Sequence, residues 1–173
     1  MTFMVTILCV EATRPYENRT SPLLVEPVVM DDQAWARAGN IEVLARYAGY
    51  PARGIAYYLM LDEDGYKTSN SFFHHSDDAE ELAYFTVSPS MKSDVARVLQ
   101  DLLFLSPQKT IVFIAEDNGH VTDPDLTYEE IETIERLGPV DLQSFWHLVD
   151  DKRIREDSLT IVRIDEGARY SAF

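Results

Sequence analysis

Apolar residues fall along this chain in short blocks whose spacing separates strands from helices. Phe3 to Val10 (Phe-Met-Val-Thr-Ile-Leu-Cys-Val) is apolar on both alternating faces, the pattern of a strand covered on two sides, and residues 12–21 follow as a loop. Leu23 to Met30 is β-prone but contains Pro27, which confines it to a sheet edge or to an extended approach to a helix. Asp31 or Asp32 then caps a helix carrying Trp35 and Ala38, and Asn40 recaps after Gly39 for Ile41, Leu44, Ala45 and Ala48. One kinked helix or two short ones both fit. Ile55 to Leu61 and Tyr66 to Phe73 flank Asp62-Glu63-Asp64-Gly65, a charged turn that predicts a hairpin.

Leu82 to Val87 supplies a further short strand. From Met91 to Leu105 the positions Val95, Val98, Leu99, Leu102 and Leu103 recur at three and four residues, so one broad helix face is core, and Pro107 stops the helix. Thr110 to Ala115 is β-branched and apolar throughout, a second buried strand. Thr127-Tyr-Glu-Glu130 has the form of a capping box and predicts a helix with Ile131, Ile134 and Leu137 inside, ended by Gly138-Pro139. Asp141 caps a last helix holding Leu142, Phe145, Trp146 and Leu148 or Val149, and Leu159 to Ile164 returns as a strand. The order predicts an α+β fold: a single mixed β-sheet of about five to seven strands layered with about three to four helices. With no linker, repeat or low-complexity tract, residues 1–173 read as a single domain.

Composition narrows the function classes. The 173 residues are 46% hydrophobic, enough for a sizeable core, and carry 30 acidic against 15 basic side chains, a formal net charge of -15. Such a field repels phosphate backbones and anionic lipid, so neither nucleic acid nor membrane is an expected partner. The surplus is uneven: residues 1–53 carry 5 basic and 6 acidic side chains, residues 54–120 carry 4 and 11, and residues 121–173 carry 6 and 13. Acids gather at Asp62-Glu63-Asp64, at Asp77, Asp78, Glu80 and Glu81, at Glu116-Asp117, at Glu129, Glu130, Glu132 and Glu135, and at Asp150-Asp151. Helix caps and solvated faces account for single clusters of this kind. A small domain needs a net charge of only about 2–8 for solubility, however, and the excess favours a basic partner. Met1 to Val10 carries no Lys or Arg, and no apolar run approaches the ~18–20 residues of a membrane span, so a cytoplasmic location is expected.

Candidate chemistry is sparse. His74 and His75 with Asp77 form the best metal-like group, because His75 and Asp77 project to one side of an extended segment, but further ligands would have to come from Glu116 or His120. Asp62-x-Asp64-Gly65 fails as a calcium loop: with Gly65 in the glycine position, Met60 and Ser71 fall where acidic ligands belong. The single Cys9 lies among apolar strand residues, the setting of an inert thiol, and His120 and His147 have no readable partner. Phosphate-binding glycine loops and the Gly-x-Ser-x-Gly and His-Glu-x-x-His motifs do not occur, and no cofactor is expected. The aromatic residues Trp35, Tyr47, Tyr50, Tyr57, Tyr58, Tyr66, Phe72 and Phe73 suit either core or interface.

These readings favour an acidic binding or inhibitor protein over an enzyme. In charge, size and lack of catalytic apparatus, though in no motif, the chain is similar to the small acidic immunity proteins that neutralise bacterial toxins and to acidic mimics of nucleic acid. The expected partner is a basic protein, such as a nuclease-type toxin domain with a positive cleft. The candidate partner-binding residues are Asp62, Glu63 and Asp64 with Tyr66 as an aromatic anchor, then Asp77, Asp78, Glu80 and Glu81, then Glu129, Glu130 and Glu132. Two alternatives stand beside it: a metal-assisted hydrolase using His74, His75 and Asp77, and a structural subunit that self-associates through its aromatic first half.

Overall fold

The computed structural model describes residues 3–16, 23–27, 54–61, 73–74, 84–117, 134–154 and 159–168. The chain passes through β1 (Phe3–Val10), β2 (Leu23–Pro27), β3 (Gly54–Leu61), β4 (Phe73–His74), β5 (Tyr84–Phe85), α1 (Lys92–Leu105), β6 (Thr110–Asp117), β7 (Ile134–Val140), α2 (Leu142–Asp150) and β8 (Leu159–Asp165). Six strands form one sheet in the order β2-β3-β1-β6-β8-β7, while β4 and β5 pair separately. Every pairing in the large sheet is antiparallel except the parallel pair β7 and β8. The mixed sheet agrees with expectation, and among the described residues two helices accompany it rather than three or four.

Register follows the apolar alternation. One cross-sheet row joins Tyr57, Ile7, Phe113 and Val162, and its neighbour joins Ile55, Cys9, Ile111 and Ile164. Both helices pack on this face. Cys9 donates its thiol hydrogen to the Leu102 carbonyl oxygen of α1 at 3.1 Å, and the Phe113 and Phe145 rings lie 5.0 Å apart between β6 and α2. Val95, Val98, Leu99, Leu102 and Leu103 are the buried face of α1, as their spacing predicts. Residues of the opposite sheet face, among them Leu8, Val112, Ile114 and Ile161, are also fully buried. Two-sided burial therefore explains why β1 and β6 lack a polar alternation. The Asp141 carboxylate accepts from the Ser144 amide at 2.7 Å, the predicted cap of α2.

Two expectations are corrected. The two partners of β3 are β1 and β2 rather than the following segment, Tyr66 to Phe73, of which only Phe73 is described, and Phe73 pairs with Phe85. The long-range partners satisfy the strand's backbone groups and displace the local hairpin. Ile134 to Leu137 is not helical but belongs to β7, at the sheet edge, where it covers the outer edge of β8. Spacing at three residues suited a helix, yet Pro139 is equally at home in an edge strand, where an amide donor is dispensable. The predicted helix at residues 31–48 and the capping box at Thr127 lie outside the described residues.

Candidate partner-facing surface

Strand direction organises the attachment of the acidic segments. β1 runs from a lower end at Phe3 to an upper end at Val10, and the pairings place Leu23, Leu61, Asp117, Ile134 and Leu159 at that same lower end. Asp62, Glu63, Asp64 and Tyr66 themselves lie outside the described residues, but their segment begins where β3 ends, at the lower end. Glu129, Glu130 and Glu132 also lie outside them, within residues 118–133, a segment joined at both ends to the lower end through β6 and β7. That segment contains Asp123, Asp125 and those three glutamates, with no Lys or Arg. With strands about 4.8 Å apart, β6 and β7, separated by β8, stand about 10 Å apart, and β3 and β7 about 19 Å. By contrast residues 28–53, which join two upper strand ends, balance Asp31, Asp32 and Glu42 against Arg37, Arg46 and Arg53. Asp77, Asp78, Glu80 and Glu81, also outside the described residues, fall between β4 and β5.

Side-chain hydrogen bonds to backbone groups knit the upper end together. Buried Ser106, just past α1, donates its hydroxyl to the Val10 carbonyl oxygen at 2.7 Å and accepts from the Thr110 amide at 3.1 Å, so one side chain joins α1, β1 and β6. Gly54 approaches β1 so closely that a Cβ there would lie 1.9 Å from the Cys9 carbonyl oxygen, a position closed to any other residue. Lys109, in left-handed conformation at φ 54°, accepts at its carbonyl from the Glu166 amide and donates Nζ to the Phe104 carbonyl at 2.7 Å. Its ammonium stands 4.6 Å from the centre of the Phe104 ring, which is 72% exposed.

The described framework holds a minor part of the net charge. It carries 8 of the 15 basic and 12 of the 30 acidic side chains, so most of the surplus falls on the remaining segments. Three of its arginines sit in ion pairs: Arg97 with Asp94 at 3.7 Å, Arg153 with Glu135 at 2.8 Å and Arg163 with Asp165 at 3.0 Å. Its three lysines each lie over an aromatic ring, Lys92 over Trp146, Lys109 over Phe104 and Lys152 over Tyr84. Such contacts contribute little stability at a surface.

The titratable groups of the core are structural. Burial pushes the Cys9 thiol up to about 11, so at neutral pH it is protonated and hydrogen-bonded rather than nucleophilic. Tyr57 is core, not interface: its hydroxyl accepts from the Tyr16 amide at 2.9 Å, and burial raises its pKa. Tyr58 and Met60, on the other face, are half-buried. Tyr16 donates to Asp101 at 2.9 Å, and burial followed by that bond to the carboxylate raises its phenol to about 12. Among the described residues no three His, Cys, Asp or Glu side chains gather to hold a metal ion, and His147 is exposed on α2. His75, Asp77 and His120 lie outside those residues. Among the described residues, no helix is long and apolar enough to cross a membrane. The positions that sequence reasoning missed are Ser106, Gly54 and Lys109, whose contacts join residues far apart in the chain; only the positive φ tolerance of glycine left a trace at Gly54. The chain matches no family model, no curated protein and no solved structure.

Proposed function

We propose that this chain is an acidic binding protein that occludes a basic protein partner, in the manner of an immunity protein neutralising a nuclease-type toxin. Its binding surface is assigned to the lower end of the sheet. The observation that supports this reading is the attachment of residues 62–72 and 118–133 to that end while the balanced segment 28–53 joins the upper one. A cleft that cuts nucleic acid must attract phosphate, so an inhibitor that fills it gains association rate from opposite charge and residence time from an apolar anchor. Asp62, Glu63, Asp64, Glu129, Glu130 and Glu132 supply the charge and Tyr66 the anchor, with Asp77, Asp78, Glu80 and Glu81 as a further acidic patch.

Capture from the native source followed by mass spectrometry identifies the partner, and stopped-flow association then tests the mechanism. Raising salt from low to physiological strength is expected to slow association about tenfold or more, and Glu→Gln changes at Glu129, Glu130 and Glu132 together to reproduce part of that loss without changing the melting temperature. Association indifferent to salt and to charge removal at every cluster would overturn the reading. So would a salt-insensitive homodimer as the sole complex, or stoichiometric zinc or manganese lost on His75→Ala.

A further inference from the structure

No further inference is drawn: the strongest candidate, the exposed Phe104 ring at the carboxy-terminal end of α1 beside Lys109, carries nothing because nothing in the structure shows what covers it.

Discussion

Replacing Ser106 by alanine removes one hydroxyl and leaves two buried backbone groups without it, the Val10 carbonyl and the Thr110 amide. A buried group deprived of its partner costs about 1–3 kcal/mol, and the alanine recovers about 1–2 kcal/mol because it no longer buries a hydroxyl. With two such groups the expected net loss is about 1–4 kcal/mol, which for a chain of this length lowers Tm by about 3–15 °C. Urea unfolding followed by tryptophan fluorescence measures it, since Trp146 packs half-buried with its ring 5.4 Å from Phe145. The urea m-value should be unchanged, because the surface exposed on unfolding is the same. Ser93→Ala, on the exposed side of α1, serves as the reference and should stay within about 0.5 kcal/mol of the parent. If Ser106→Ala were no more destabilising than Ser93→Ala, the reasoning that this hydroxyl ties three elements together would fail.

Val112→Asp puts an unpaired carboxylate at a fully buried position of an inner strand and should cost several kcal/mol; a melting temperature equal to that of the parent would remove β6 from the sheet interior. Asp141→Ala deletes the α2 cap and should cost about 1 kcal/mol. Because the Ser144 amide and hydroxyl hold the Asp141 pKa below its ordinary value, that contribution is present at neutral pH and lost on acidification, so parent and variant should converge in stability at low pH. Cys9 has the opposite dependence: its folded pKa lies above the ordinary 9.0, so the unfolded chain loses the thiol proton first and stability should fall between about pH 9 and 11. Cys9→Ala should make that part of the profile shallower, the remaining fall coming from the raised phenols of Tyr16 and Tyr57, and a thiol reagent at neutral pH should react with the native protein only at the rate of opening.

Local signals were readable where the structure is locally determined. α1 and α2 were visible because a 3.6-residue stripe and an Asp141 cap both lie within one element, and β1 and β6 because two-sided burial removes every charged residue from their middles and leaves Thr6 as the one polar side chain inside β1. The partners of β3 were not visible. An Asp-Gly turn reports only that the chain can reverse at Gly65, whereas β3 is held by β1, some fifty residues earlier, through pairs such as Ile7 with Tyr57. Likewise Ile131, Ile134 and Leu137 have helical spacing, and what makes Ile134–Val140 a strand is the unpaired edge that β8 would otherwise present. In both places a tertiary requirement outweighed a local preference of about one kcal/mol or less.

For the proposed surface, the acids are plain in the sequence but their direction of approach depends on one topological choice. β6 ends at the lower end of the sheet, and β8 runs antiparallel to it. Since β7 is parallel to β8, it must also start at the lower end, so residues 118–133 leave and return on the same side. An antiparallel β7 would start at the upper end, and the same residues would have to cross the full height of the sheet to reach it. No composition or periodicity distinguishes these two cases, because the choice lies in which backbone groups β8 uses on its outer edge. The tethers at β6 and β7 are about 10 Å apart, close to the Debye length of about 8 Å at physiological ionic strength. Charges on segments tethered within about one Debye length act on a partner as a summed field that salt weakens, so the salt dependence of association reports on them better than the loss of any single carboxylate.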